Sequence, residues 1–453
     1  MSMRAHWLPR PLAGWSPGES VASFERLCLV FERKAAEIYS QFSTSAIVKA
    51  LDDTLARWQM ADSPWLSSCL EQLHERTGWP KAMLDAGMRD MLSSWREPHM
   101  TDLLQLEFDS PDGLDGPPSR AGMSRPPKML GVLLSGNVPV LGIPELIRAL
   151  MLKTPVVFRL PSAETITLPL FARALSEVEP LLADCILMLH WPKEKTQLYR
   201  ALFRMSEDIV FYGGSRSREA LLSLCPPTAE WHQYGPRLSL AWIDSFHRDQ
   251  EDEPELARAA SDAARQVALY DQLGCLSPHA VYVKEDVPGR ALRFAELLAD
   301  AMSYYETQWP RRKLSLGESQ KIQAARQKYL MRALNGSQIA HESVQIRQSE
   351  RSTAWTVVYS PEPDFELSPG NRFIFVKPLR DWRCLTQILY RWRGYLSTLG
   401  VDGRIDTTEV QGFFNMGFSR ICALNRMQTP PSTWRHDGRS TLRRFLHSAT
   451  WES

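Results

Sequence analysis

MLGVLLSG (129–136), IPELIRALMLK (143–153), PVVFRL (155–160) and TITLPLFARALSEVEPLL (165–182) open a stretch in which short apolar runs alternate with segments of helical period. DCILMLH (184–190), KEKTQLYRALFRM (193–205), DIVFY (208–212), SREALLSLC (217–225) and LSLAWI (238–243) continue it. Apolar strands of five or six residues separated by amphipathic helices are the signature of a parallel sheet covered on both faces. A Rossmann-like α/β domain is therefore predicted.

In such sheets ligands bind beyond the carboxyl ends of the strands, where loops and helix N-termini turn backbone N–H groups towards phosphates. Two loops stand out at those positions, SGNVP (135–139) and YGGSRS (212–217). The chain has no GxGxxG, so the dinucleotide fingerprint alone does not reveal a nucleotide site.

Working outward, SFERLCLVFERKAAEIYSQF (23–42) and SAIVKALDDTLARWQMA (45–61) carry apolar residues at three- and four-residue spacing, which predicts a helical region over 1–108. Residues 109–128 concentrate Pro, Gly, Ser and Asp and read as an exposed connection. A nucleotide-binding domain is expected over 109–245, a catalytic domain over 246–410, and a tail over 411–453 that returns to the core. In the catalytic domain, the helix EPELARAASDAARQVALY (253–270) runs into the loop DQLGCLSPH (271–279) and the strand AVYV (280–283).

The bulk numbers exclude some classes. With 44% hydrophobic and 23% charged residues, 453 residues give a globular chain with a sizeable core. A net charge of +1 gives no pull towards nucleic acid. The start of the chain lacks the apolar core of a signal peptide, and no run is long enough for a transmembrane helix, so a cytoplasmic protein is expected. Seven scattered cysteines with no CxxC pair predict neither a disulfide framework nor a metal site.

A thioester intermediate needs an exposed, assisted thiolate. Cys275 has the sequence context for one: Gly274 removes steric cover, while Ser277 and Pro278 direct the chain into the strand. Cys185 lies in an apolar strand, and Cys384 lies on an apolar helical stripe with Leu385, Ile388, Leu389, Trp392 and Leu396. Both are expected to be buried. The Trp/Arg interleaving of RDWRCLTQILYRWRG (380–394) is thereby read as an amphipathic helix and not as a nucleic-acid surface.

GVLLSGNVP, KTPVVFRLPSAET, VFYGGSRSREAL and DQLGCLSPHAVYV together resemble the aldehyde dehydrogenase superfamily. More closely they are similar to the acyl-CoA reductase (LuxC-like) family that makes fatty aldehydes for bacterial luciferase, as is the tail with HDG at 436–438. The resemblance implies an aldehyde dehydrogenase-like fold and NADPH-dependent reduction of an acyl thioester to an aldehyde, with NADH as the other candidate cofactor. It implies Cys275 as nucleophile and Asn137 as the amide that holds the oxyanion. Arg159 and Ser162 would contact the adenosine ribose, with Arg159 suited to a 2′-phosphate and Arg216 or Arg218 assisting. Gly213, Gly214 and Ser215 would receive the pyrophosphate.

The implied partners are acyl-CoA or an acyl-carrier thioester, an acyl-transferring enzyme, and further copies of the chain in a homo-oligomer. Where hydrolytic members carry an ELGG glutamate, this chain reads EWHQYGPRLSLAWI, with Glu230 the nearest substitute. His279 is read as structural, and for His436 and Asp437 the resemblance implies a functional neighbourhood without giving a role. A cysteine acyltransferase or thioesterase without redox cofactor, or an inactive scaffold member of a biosynthetic complex, are the competing readings.

Overall fold

The computed structural model describes residues 3–12, 20–116, 123–244 and 253–450. Its strands, in chain order, are β1 (Arg4–Trp7), β2 (Met123–Arg125), β3 (Leu130–Leu133), β4 (Val156–Arg159), β5 (Ile186–His190), β6 (Asp208–Tyr212) and β7 (Glu230–Tyr234). They continue with β8 (Leu238–Ile243), β9 (Pro278–Lys284), β10 (Gln345–Gln348), β11 (Thr356–Tyr359), β12 (Phe373–Leu379), β13 (Leu396–Asp402), β14 (Arg420–Ala423) and β15 (His447–Ala449).

The chain folds as two units. One comprises Met1–Leu73, Met91–Pro236 and Pro431–Ser453; the other comprises His74–Asp90 and Arg237–Pro430. Among the described residues no helix is long and apolar enough to cross a membrane.

The first unit holds a sheet in the order β1-β5-β4-β3-β6-β7, parallel from β5 to β7. The alternation in 129–212 builds it directly, because the apolar strands β3 to β6 are buried on both faces and the helices Gly142–Met151, Thr167–Val178 and Thr196–Met205 each bury a face. The helix Gly142–Met151 is buried along its whole length. The region expected to form a separate helical leader does not stand apart. Arg4–Trp7 adds an antiparallel edge strand on β5, and the helix Val21–Tyr39 sets Phe24 edge-on to Trp191 at 5.9 Å, in one core with Leu133, Leu187 and Phe211. Nor is the Asp/Gly/Pro connection after residue 108 simply exposed linker: Asp115 accepts from the Thr44 backbone N–H at 2.8 Å and from Lys153 Nζ at 2.5 Å. Residues 117–122 of that connection lie outside the described residues.

The second unit holds the larger sheet, β10-β11-β12-β9-β8-β13-β14, parallel except for β10 against β11. Leu238–Ile243 belongs here, between β9 and β13, and not to the nucleotide domain expected to run to 245. The expected tail over 411–453 likewise divides. Arg420–Ala423 completes the second sheet, whereas residues from 431 onward return to the first unit, where β15 pairs with β2.

The stripe expected over 380–394 is not one helix. It breaks into short turns at Trp382–Cys384, Leu385–Ile388 and Tyr390–Trp392, with Leu396 already in β13. Trp382 packs over Gly412 and against Phe413 at 5.1 Å, and Leu385 and Leu389 point into the core from successive turns. Tertiary anchoring overrides helical period here.

Candidate active site

The ligand edge of the first sheet follows from strand direction. β3, β4 and β6 all end on the same side, and each delivers one loop there. Asn137 lies exposed on the loop after β3, ahead of Gly142–Met151. Two close approaches hold that loop. A β-carbon on Gly136 would sit 2.7 Å from the Ala163 methyl, and one on Gly142 would sit 2.5 Å from Leu168, so neither position has room for a side chain.

Arg159 ends β4. Its Nη2 donates to the Trp191 carbonyl at 2.8 Å, and its guanidinium lies over the Tyr199 ring at 5.7 Å. Burial lowers its affinity for a proton somewhat from the usual arginine value. Its Nε is buried with no hydrogen-bond partner, so one donor remains to be satisfied. Ser162 is exposed on the turn that follows. The nearby carboxylate is already engaged, since Glu164 Oε1 accepts from Ile166 N and Thr167 N, both at 2.7 Å, and so caps the helix Thr167–Val178.

Gly213 and Gly214 turn the chain from β6 into the helix Ser215–Leu222. A β-carbon on Gly213 would strike the Phe211 ring at 2.4 Å, whereas the space around Gly214 is open. The helix that starts there has no acidic residue in its first turn and no side-chain cap, so its N–H groups are available to an anion. Arg216 is exposed on that first turn, and Arg218 is half-buried. The orphaned donor of Arg159 and the open, uncapped glycine turn fit a nucleotide phosphate.

Deeper at the same edge lies a network that sequence reasoning missed. Tyr212 ends β6 and donates to Glu145 Oε1 at 2.5 Å; Arg148 pairs with the same carboxylate, and both acid and base are buried. Tyr212 stacks on Tyr234 at 4.6 Å, Tyr234 on His436 at 4.0 Å, and His436 on Trp434 at 4.3 Å. This assigns the HDG triplet a structural context. An acid and a base three residues apart in the otherwise apolar IPELIRALM was the available signal.

Glu230 is at the opposite edge. It begins β7 in register with Asp208, at the amino ends of the strands, away from Asn137 and Gly213 within this sheet. There Asp208, Glu230 and His232 have ligand atoms within 4.8 Å of one another. Both Asp208 oxygens are engaged, by His232 Nε2 at 2.6 Å and by His447 Nε2 at 2.7 Å. The cluster therefore serves as an anchor for the C-terminal strand.

In the second unit Cys275 is exposed on the loop before β9. Its backbone is fixed from the cysteine carbonyl onward. Ser239 Oγ donates to the Cys275 carbonyl at 2.7 Å, Gln428 Nε2 donates to Ser277 Oγ at 2.7 Å, and Leu276 is buried. Cys28, Cys69 and Cys185 are buried, and burial pushes the thiols of Cys69 and Cys185 up to about 12. Those thiols are inert at neutral pH. Cys384, expected in the core, is exposed, because the segment around it breaks into short turns. His279 is half-buried, and burial brings its imidazole down to about 4. It is neutral at pH 7 and supplies no positive charge to the Cys275 sulfur.

The profile described as acyl-CoA reductase (LuxC) matches residues 39–448. A long-chain acyl-protein thioester reductase of Aliivibrio fischeri is 22% identical over 312 residues, covering 64% of this chain and 60% of that relative. A protein of the same name from Vibrio harveyi is 24% identical over 248 residues, covering 54% and 47%. The chain thus spans only part of the length of these relatives. Among solved structures, an NAD-dependent benzaldehyde dehydrogenase from Corynebacterium glutamicum aligns with a TM-score of 0.66 at 13% identity, over 98% of this chain and 94% of that one. An E. coli NADP dependent enzyme aligns with a TM-score of 0.66 at 12% identity and the same coverage. At such identity the likeness speaks for the fold, which is aldehyde dehydrogenase-like. With its match running over most of the sequence, this chain belongs to the acyl-CoA reductase (LuxC) family.

Proposed function

We propose that this protein reduces an acyl thioester to an aldehyde, with the acyl group carried on Cys275 and the developing oxyanion held by Asn137. The observation that carries this reading is the Cys275 loop: an exposed thiol on backbone pinned at Cys275 and Ser277, in a family of acyl reductases. The Cys275 thiolate attacks the thioester carbonyl and expels the donor thiolate. A nicotinamide cofactor held through Arg159, Ser162, Gly213, Gly214 and Ser215 would supply the hydride. The Asn137 side-chain N–H donates to the carbonyl oxygen as negative charge grows on it, and collapse of the thiohemiacetal releases aldehyde and returns the thiolate.

Hydrolysis would compete if a positioned base activated water at the acyl enzyme. The one candidate the sequence offers, Glu230, starts its strand at the edge away from Asn137. The acyl enzyme thus survives until it is reduced.

Acyl-CoA is the proposed donor, with fatty acyl chains. The relatives' name, acyl-protein thioester reductase, makes a protein-bound acyl thioester the second donor to test. NADPH is the proposed cofactor because Arg159 retains an unsatisfied donor. Ser162, Gly213, Gly214 and Ser215 complete the proposed phosphate and ribose contacts.

The deciding experiment incubates the protein with acyl-CoA of graded chain length and NADPH, then measures cofactor oxidation and trapped aldehyde together. Equimolar aldehyde and oxidised cofactor are expected. Acyl transfer or free acid with no cofactor oxidation would favour a cysteine acyltransferase or thioesterase, and no acylation at all an inactive scaffold. For Arg159→Lys, which loses the planar fork, the KM for NADPH is expected to rise by about tenfold or more with little change for NADH, since a charge-assisted hydrogen bond contributes roughly 1.5–3 kcal/mol. Steady-state kinetics with both cofactors checks this.

A further inference from the structure

The nucleophile loop is entered through backbone that residues with side chains seldom adopt. Tyr270, Asp271 and Gln272 have φ of 50°, 54° and 63° in succession. The segment that meets them carries two more, Asn371 at 56° and Arg372 at 66°. Left-handed backbone at such residues persists where its surroundings over-determine it, and it gathers where geometry serves function.

The over-determination is visible bond by bond. Asp271 and Arg372 are both fully buried. Arg372 Nε donates to Asp271 Oδ1 at 2.8 Å, and Arg372 Nη2 donates to the Trp309 carbonyl at 2.8 Å. The other Asp271 oxygen accepts from Trp79 Nε1 at 2.8 Å and from Arg312 N at 3.2 Å. Gln272 joins the two strained segments. Its Oε1 accepts from Phe373 N at 3.0 Å, and its Nε2 donates to the Phe373 carbonyl at 3.0 Å.

The same Nε2 also donates to the Pro278 carbonyl at 2.8 Å. That bond joins the residue before the loop 273–277 to the residue after it, so one amide brackets the segment whose middle residue is Cys275. A buried ion pair of purely structural use would need no such link across the loop.

We propose that Asp271, Gln272 and Arg372 are positioning residues that hold Cys275 at its reactive place, a role that rests on the reading of Cys275 as the acyl acceptor. They touch neither substrate nor cofactor. They set where the sulfur stands and how little it wanders, and a misplacement of about 1 Å costs on the order of a hundredfold in rate.

Two near-isosteric variants test this. Gln272→Glu replaces both donors of the bracket with an oxygen facing the carbonyls of Pro278 and Phe373. Asp271→Asn removes the buried charge but keeps the shape and a residue that tolerates left-handed backbone. Peptide-resolved alkylation by iodoacetamide is followed at Cys275, with exposed Cys384 as the control within the same molecule. kcat and KM for the acyl thioester, NADPH affinity and Tm are measured alongside.

kcat is expected to fall by between about tenfold and a hundredfold and the rate of Cys275 alkylation relative to Cys384 to depart from wild type, while Cys384 alkylation, KM and NADPH affinity stay near wild type. Alkylation and kcat that remain at wild-type values in the folded variants, whatever happens to Tm, would overturn the proposal. Should both variants fail to fold, Arg372→Lys, which keeps the charge and loses the fork, is read in the same way. A crystal structure of the unaltered protein with negative φ at 270–272 would overturn the proposal with no variant at all. Alkylation does not depend on acyl chemistry, so a Cys275→Ala protein that kept reductase activity would sink the reading of the site and leave the positioning test standing.

Discussion

Cys275→Ala is expected to lower aldehyde formation by on the order of 10⁴-fold or more, the scale seen when a covalent nucleophile is removed. The expectation is this large because, among the described residues of the second unit, burial pushes up the thiol of half-buried Cys422 in β14, and neutral His279 is no substitute nucleophile of comparable strength. Intact-mass measurement after incubation with acyl-CoA and without cofactor checks the step directly. Wild type is expected to gain one acyl mass and the variant none. NADPH affinity is expected to persist, because Arg159, Gly213 and Gly214 lie in the other unit and are untouched. A variant that formed aldehyde at the wild-type rate would end the proposal.

For Asn137→Ala the expected loss is about 100- to 1,000-fold in kcat, the range for removing one preorganised oxyanion donor. KM should move little, because the ground-state carbonyl carries far less charge than the tetrahedral state and draws less on the amide. Both acyl uptake and reduction pass through such a state, so single-turnover acylation should slow together with steady-state turnover. Slowed turnover with unaltered acylation would assign Asn137 to the hydride step alone; unchanged kcat would remove it from the site. Asn137 is exposed on its loop, and Tm serves as the control for folding.

Much of the fold could be read from periodicity. The strands β3 to β6 read as near-continuous apolar runs and the helices between them follow a 3.6-residue pattern, because a parallel sheet with both faces covered leaves little freedom in where apolar residues fall. Periodicity is local, however, and does not say which sheet a strand joins. LSLAWI continues the alternation perfectly well and still belongs to the second sheet, since its partners, β9 and β13, lie far along the sequence. The same limit explains Cys384. Its apolar spacing is that of a helix, but Trp382 seated over Gly412 ties the segment down turn by turn.

The site was legible where chemistry leaves a short signature. Gly-Cys before Ser-Pro and the glycine pair after DIVFY mark an open thiol and an open turn. The left-handed run at Tyr270, Asp271 and Gln272 left no such mark, because it contains no glycine and is dictated by Arg372 and Phe373, a hundred residues downstream. The pairing of Glu145 with Tyr212 and the stacking of His436 on Tyr234 were hidden for the same reason: only the folded chain brings 145, 212, 234 and 436 together.

Glu107 is buried, and its carboxylate accepts from the backbone N–H groups of Thr441, Leu442 and Arg443, while Asp208 takes His447. On the ribosome, therefore, the first unit cannot finish folding when its own strands emerge. It has to wait, with two acidic anchors unsatisfied, until the segment 441–447 has been made, so the unit begun first is completed only after the whole of the second unit has been synthesised.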